Sequence, residues 1–342
     1  MEYPFVSVII PTLRDREVLA KCVHSLLKQD YPSDKLEIIL VSKKKLELDA
    51  GVFGNAVHSG KVKMISGVGF GEARNAGVGV AQGTFLAFVD DDAIVPPSWV
   101  TQTLSYFQNK KVAVVGGPAL SFPDDTFHYR YGGYLFSSPF AVGFASVRYR
   151  RTSGVQEVGE RNLLTANTVV KKEAFDAISG FDSRQVRSED SDFYFRLNKK
   201  GYTLLYVPDT FVWHRAKPTF WPLITRVFYY AVGRAILLMR KPGMMQVVYF
   251  IPSLFILGLV TLALLSLFIQ EFFYLLLGVL IFYAFANLVH TAYIFIKHER
   301  NPAGLLLVLV ATPFIHFSYG LGILFGIYKH FTSGRVDAWT KT

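Results

Sequence analysis

Apolar residues in the first 215 positions come in short runs separated by charged and small residues, and the period of each run predicts its element. FVSVII (5–10) is a β-rich run closed by Pro11 and Thr12. Val18, Leu19, Cys22, Val23, Leu26 and Leu27 then recur at helical spacing. LEIILVS (36–42) and VKMIS (62–66) predict two further strands, and GEARNAGVGVAQG (71–83) a helix with a glycine stop. TFLAFV (84–89) predicts a strand running into three aspartates. A helix from about Pro97 to Gln108 and a strand at KVAVVGG (111–117) follow. Short apolar strands alternating with helices imply an α/β domain whose mostly parallel sheet is covered on both faces. Ligands of such sheets bind beyond the carboxyl ends of the strands. Pro11-Thr12, Ser42-Lys43 and the aspartates at 90–92 are therefore expected to share one cleft.

The alternation stops near residue 244. Residues 244–269, 272–296 and 303–328 are almost wholly Leu, Val, Ile, Phe, Ala and Gly, and each exceeds the roughly 20 residues that a membrane-spanning helix needs. The stretch before them, KPTFWPLITRVFYYAVGRAILLMRK (217–241), interleaves aromatics with Arg226, Arg234, Arg240 and Lys241, the pattern of an amphipathic helix at a membrane surface. Four regions are thus expected: a domain at 1–215, interfacial helices at 216–243, a small transmembrane region at 244–328 and a tail at 329–342. Arg234, Arg240 and Lys241 precede the first span, and Lys297 and Arg300 follow the second. The positive-inside rule then puts the large domain on the cytoplasmic side. Lys329, Arg335 and Lys341 in the tail oppose that arrangement, and Gly304, Pro313, Gly320, Gly322 and Gly326 leave open a re-entrant third stretch.

Composition agrees with a part-membrane chain: 342 residues, 51% hydrophobic, net charge +10, and a mean hydropathy of +0.30. Cys22 is the single cysteine, so the chain forms no internal disulfide, as suits a reducing compartment. MEYPFVSVIIPT has no basic segment ahead of its first strand, so no cleaved signal peptide is expected. GVGFG (67–71) lacks the third glycine of a dinucleotide fingerprint, and no G-x-x-x-x-G-K-[ST] occurs. Neither a Rossmann dehydrogenase nor a P-loop NTPase is supported. No nucleic-acid partner is expected.

Two constellations carry chemistry. In an extended segment Asp90 and Asp92 point the same way while Asp91 faces away. Two hard carboxylates with open positions suit Mn²⁺ or Mg²⁺ shared with substrate phosphates; a plain turn is the alternative. The other constellation is RSEDSDFYFRLNKKGY (187–202). It reads as a helix with Ser188 as N-cap and Glu189, Asp190 and Asp192 in its first turns. Acids favour a helix N-terminus whatever their function, but they also suit a general base.

VSVIIPT, GEARNAGVGVAQGTFLAFVDDDAIVPP, NTVVKKEAFDAISGFD and SEDSDFYFRLNKKGYTLLYVPDTFVWH occur in the order and approximate spacing of family-2 glycosyltransferases. The resemblance covers about residues 5–215. It implies a GT-A fold and an inverting transfer from a nucleoside-diphosphate sugar. By matching position, Pro11, Thr12, Asp15, Arg74 and Asp90 would bind the donor. Asp90 and Asp92, with His214, would hold Mn²⁺ or Mg²⁺. Asp190 of the Glu189-Asp190 pair would be the base. VSKKK (41–45) stands where many members carry an aspartate that contacts the nucleotide base. That departure favours a guanosine nucleotide over uridine, with GDP-mannose as candidate donor. Q-x-x-R-W, the mark of processive members, is absent, so a single transfer is expected. A membrane-tethered site suggests a lipid-linked (polyprenyl or dolichol) saccharide as acceptor, with membrane lipids as further partners. A polyprenyl-phosphate hexose synthase and a non-catalytic membrane scaffold are the alternatives.

Overall fold

The computed structural model describes residues 3–12, 16–42, 62–66, 70–185, 187–214, 220–298 and 301–333. The chain forms two compact units. One comprises residues 1–122 and 144–215, the other residues 123–143 and 216–342.

In the first unit, β1 (Val6–Thr12), α1 (Arg16–Leu27), β2 (Leu36–Ser42), β3 (Val62–Ser66), α2 (Phe70–Gly79), β4 (Phe85–Val89) and β5 (Ala93–Ile94) follow the expected alternation. The predicted helix at 97–108 is shorter: α3 (Trp99–Leu104) passes into a 3₁₀ turn at Ser105–Gln108. Next come β6 (Val112–Gly116) and β7 (Ala119–Leu120). The large sheet is completed by β8 (Gln156–Glu157), β9 (Asn167–Lys171) and β10 (Thr203–Tyr206), in the order β3-β2-β1-β4-β9-β6-β10-β8. Pairing is parallel from β3 to β4 and between β6 and β10. It is antiparallel where β9 inserts between β4 and β6, and where β8 edges β10.

Strand alternation sorts the core into two layers. Val6, Val8, Ile10, Ile38, Leu40, Ala87 and Val89 face one cluster, and Ile9, Ile39, Val41, Leu86 and Phe88 face the other. Both faces are apolar because helices cover both. Helix α2 lies close over β1, where a Cβ on Gly77 would stand 2.5 Å from Ile9 Cγ2.

The second unit holds α4 (Phe127–Ser137) and α5 (Pro139–Val142). Sequence patterning assigns 123–143 to the first domain. Instead α4 and α5 bury Tyr131, Leu135 and Ala141 among Leu223, Ile224 and Val227 of α8 (Phe220–Arg240) and Val308, Ala311 and Ile315 of α11 (Pro302–Ser333). Between these lie α9 (Ile251–Leu265) and α10 (Gln270–Lys297).

Among the described residues three helices are long and apolar enough to cross a membrane; two coincide with the expected stretches 272–296 and 303–328, and the first does not. Phe220–Arg240, Gln270–Lys297 and Pro302–Thr332 qualify, whereas Ile251–Leu265 has only 15 residues. The run 244–269 is broken because Pro242 and Pro252 cannot donate to a preceding turn. Two 3₁₀ turns, Pro242–Met244 and Val247–Tyr249, occupy the gap. Helix α8 in turn is no half-exposed amphipath along its second half: residues 231–238 are all buried. Helix α11 lies against it through glycines, since a Cβ on Gly322 would stand 2.6 Å from the Phe228 carbonyl oxygen and one on Gly326 2.7 Å from Ala235 Cβ. Helix α10 leaves Ile281, Phe282, Phe285, Leu288 and Val289 exposed, an apolar surface suited to lipid.

One buried charge in the α/β unit ties β1, β2 and β3 to the turn after α2. Glu37, 4% exposed, accepts from Ser7 Oγ (2.6 Å), Lys63 Nζ (2.6 Å) and the Gln82 amide (2.7 Å). Burial alone would raise its pKa, but Lys63, Ser7 and Gln82 outweigh burial and hold it below the usual glutamate value. Its stabilisation is therefore present above the unfolded pKa of about 4.3 and is lost as pH falls through the lower folded value. Glu37→Gln should cost about 1–3 kcal/mol at pH 7. The gap to wild type should narrow below about pH 4 in denaturant titrations; a gap that stays constant to pH 3 would refute the assignment.

Candidate active site

Parallel register aligns the strand ends that sequence patterning singles out. Ile9 of β1 pairs with Phe88 of β4, and Thr12 of β1 pairs with Ser42 of β2. Asp90 is thereby level with Pro11, and the carboxyl ends of β2, β1 and β4 lie side by side. Thr12 and Ser42 are buried there. Asp15 and Lys43 to Lys45, also expected at this edge, lie outside the described residues.

The aspartates do not continue β4 as an extended segment. Residues 91 and 92 form a turn closed by the Ala93 amide donating to the Asp90 carbonyl at 3.1 Å. The turn still brings Asp90 and Asp92 together, and β11 (Val212–His214) delivers the third group. β11 pairs antiparallel with β5, His214 opposite Ala93 and Trp213 opposite Ile94, and parallel with β7 on its other edge. His214 Nε2 stands 3.0 Å from Asp92 Oδ1 and 3.7 Å from Asp90 Oδ2. The two carboxylates and the imidazole each offer a ligand atom within 4.8 Å of the others. Two oxygens and one nitrogen with open positions form a donor set that fits Mn²⁺ or Mg²⁺. Asp91, expected to face away from the other two, is 6% exposed and so lies buried. Below the turn, the buried Cys22 thiol lies 3.5 Å from the Asp90 carbonyl; burial, then Asp91, Asp92 and Asp90, raise its pKa, which keeps it an inert thiol.

Arg74 of α2 joins this cluster to the Glu-Asp pair. Its guanidinium is 4% exposed, with NH1 3.0 Å from Glu189 Oε1 and NH2 3.5 Å from Asp90 Oδ1. Glu189 and Asp190 open α7 (Glu189–Lys199). Ser188 occupies the position before the helix, but it makes no capping hydrogen bond there. Its φ of 62° is left-handed, a conformation that costs a non-glycine residue about 1–2 kcal/mol. Strain of this kind collects at functional turns. Asp192, the third acid, is a structural ion pair: it receives Arg196 Nε at 2.8 Å, while Arg196 also donates to the carbonyls of Ile178 (2.7 Å) and Gly180 (2.6 Å).

Charges set the titration of the site. Burial would lift Asp90, but the His214 hydrogen bond and Arg74 pull it below the usual aspartate value. Burial and Asp190 raise Glu189 against the opposing pull of Arg74. Burial would lower the His214 imidazole, yet Asp90 and Asp92 hold it at about 9.

Sequence patterning missed Asn75, Asn167 and Arg148. Asn75 donates to the Phe181 carbonyl (2.8 Å) and accepts the Phe181 amide (2.9 Å), fixing α2 to the loop that precedes α7. Asn167 accepts Trp99 Nε1 (2.8 Å) and donates to the carbonyls of Pro118 (3.1 Å) and Thr210 (2.7 Å), bracing the strands behind the metal ligands. The adjacency of Asn75 to Arg74 was the available signal for the first. The other two are recognisable only by their buried partners.

Residues 4–228 match the model of glycosyltransferase like family 2, and the chain belongs to that family; it is a glycosyltransferase. Glycosyltransferase AglE of Haloferax volcanii is 27% identical over 239 residues, covering 68% of this chain and 73% of AglE. An enzyme of Methanococcus voltae is 21% identical over 343 residues, 97% of this chain and 98% of its own. Its name is dolichyl N-acetyl-alpha-D-glucosaminyl phosphate 3-beta-D-2,3-diacetamido-2,3-dideoxy-beta-D-glucuronosyltransferase. Among solved structures, the mannosyltransferase PcManGT of Pyrobaculum calidifontis, in complex with GDP-Man and Mn²⁺, covers 100% of this chain and 89% of its own. Its TM-score is 0.57 at 15% identity, a likeness that establishes the GT-A-like fold.

A ligating imidazole must be neutral, so with a His214 pKa of about 9 Mn²⁺ uptake at pH 7 should release a proton. Affinity should rise roughly tenfold per pH unit between pH 6 and 8. Asp92→Asn should weaken Mn²⁺ binding at least about 10-fold. Calorimetry of the full-length protein in two buffers of different ionisation enthalpy measures both. Binding with no pH dependence would remove His214 from the ligand set.

Proposed function

We propose that the protein transfers a single sugar, with inversion, from a nucleoside-diphosphate sugar to a hydroxyl of a lipid-linked saccharide at the cytoplasmic face of a membrane. The observation that carries this reading is the continuous chain from Asp92, His214 and Asp90 through Arg74 to Glu189 and Asp190, which joins a cation site to a carboxylate base. Asp90, Asp92 and His214 would hold a divalent cation, which would supply positive charge to a diphosphate leaving group.

The protein's own residues do the rest. Arg74 neutralises Asp90 and Glu189 and keeps a buried cation next to the developing diphosphate charge. Pro11 and Thr12 line the nucleotide edge. Asp190 accepts the proton of the acceptor hydroxyl as that oxygen bonds to the anomeric carbon and the carbon–phosphate-oxygen bond breaks. Such general-base help is worth about 10²–10⁴-fold. A carboxylate base also argues for a sugar hydroxyl as nucleophile, because a phosphate acceptor is already ionised and needs no base. GDP-mannose is the donor we favour, on the Ser42-Lys43-Lys44-Lys45 sequence. The exposed apolar flank of α10 and the three membrane-length helices support a lipid-bound acceptor, and Lys297 and Arg300 at the junction of the last two of these helices support the cytoplasmic face.

The test is a panel of GDP- and UDP-sugars with Mn²⁺ or Mg²⁺ and a crude lipid extract. Transfer should appear with at least one donor, and only with metal. Asp190→Asn should retain GDP binding while transfer falls by at least about 100-fold. Full transfer by Asp190→Asn would overturn the base assignment and favour a phosphate acceptor.

A further inference from the structure

Arg148 lies in SVRYRR (146–151), a run whose charges read as a solvated patch. Arg150 and Arg151 are indeed exposed, but Arg148 is 2% exposed. Its guanidinium is spread over four partners in the α/β unit. Nε donates to the Arg161 carbonyl at 2.6 Å, NH2 donates to the Glu160 carbonyl at 3.1 Å and reaches Ser191 Oγ at 3.5 Å, and NH1 stands 3.6 Å from Asp190 Oδ2. The other oxygen of that carboxylate is engaged by its own helix: Asp190 Oδ1 accepts the Ser191 amide at 2.7 Å, with Ser191 Oγ at 3.4 Å. Asp190 itself is 7% exposed.

We propose that Arg148 is a positioning residue for the Asp190 carboxylate, fastening it to the 160–161 backbone so that one rotamer presents its oxygens to the acceptor. This rests on reading Asp190 as the base. The planar guanidinium is needed because its partners lie in different directions from one fork, and an ammonium offers no such geometry. Free of Arg148, the carboxylate keeps only its contacts to Ser191, both on Oδ1, and χ1 and χ2 can turn Oδ2 away from the bound hydroxyl. Proton abstraction depends on heavy-atom reach of about 2.6–3.2 Å, so such a rotation lowers kcat and leaves donor affinity alone.

The experiment compares full-length wild type, Arg148→Lys and Arg148→Met in detergent, by three measurements. GDP binding with Mn²⁺ should be unchanged in both variants. Transfer kcat should fall about 100-fold in Arg148→Met, with donor KM unchanged and partial recovery in Arg148→Lys. Hydrogen exchange should quicken at amides 188–192 while those of β1 and β4 stay protected. Wild-type kcat in Arg148→Lys and Arg148→Met, beside an inactive Asp190→Asn, would overturn the proposal; so would unaltered exchange at 188–192. If wild type transfers from no donor, the functional reading fails, and hydrogen exchange still decides whether Arg148 orders the Glu189-Asp190 turn. If Arg148→Met does not fold, Arg148→Lys carries the same comparison.

Discussion

Four carboxylates, Asp90, Asp92, Glu189 and Asp190, are brought close together by the α/β unit, and the structure depends on how that charge is balanced. Three cations do it, each placed by a different element: His214 at the end of β11, Arg74 on α2, Arg148 in the segment after residue 143. Removing one partner of a buried pair leaves an uncompensated charge, a cost on the order of 3–5 kcal/mol. The arrangement is therefore over-determined, and the left-handed Ser188 can persist inside it.

Why the balance falls at this place follows from the sheet. Parallel strands end with their carbonyl ends on one edge, and the β2-β1-β4 order stacks three such ends together. The insertion of antiparallel β9 next to β4 matters as much. It puts Asn167 opposite Val89, the residue just before the aspartates, and Asn167 then holds Trp99, Pro118 and Thr210. The turn after Asp90 thus rests near a buried amide that makes three side-chain hydrogen bonds, a more rigid support than apolar packing alone gives.

Much of this was legible from the chain. Strand periods, the glycine stop after α2, the paired acids at 90 and 92 and the Glu-Asp pair could each be read from local pattern, because period and cap chemistry are local properties. What could not be read depended on contacts distant in sequence. Arg148 looks like its exposed neighbours Arg150 and Arg151, and only the carbonyls of residues 160 and 161 distinguish it. The turn at Asp91 and Asp92 was not foreseen because an extended segment was assumed, and a turn abolishes the period-2 argument. The first membrane stretch was misplaced for a related reason. Hydropathy averages across Pro242, Gly243 and Pro252, whereas backbone hydrogen bonding does not.

The two units bond most of their buried polar side chains by different means. Where water and counter-charges are at hand, the α/β unit uses full charges and forked guanidinium groups. The helical unit has apolar surroundings in which an unpaired charge would cost several kcal/mol. Much of its bonding uses neutral side chains: Ser138 with His290 (2.6 Å), Tyr283 with His316 (2.8 Å), Asn287 to the Leu309 carbonyl (2.8 Å) and Ser253 to the Gly320 carbonyl (2.9 Å). Its buried charge Arg234 donates to the Tyr230 hydroxyl at 3.0 Å. Glycines at 320, 322 and 326 of α11 supply the close approach that makes such short bonds reachable. Charge is dense around Asp90, Asp92, Glu189 and Asp190 and sparser among the apolar helices, where Arg234 is a buried exception. That division explains how a chain with a net charge of +10 can carry both an acidic active site and helices apolar enough for a membrane.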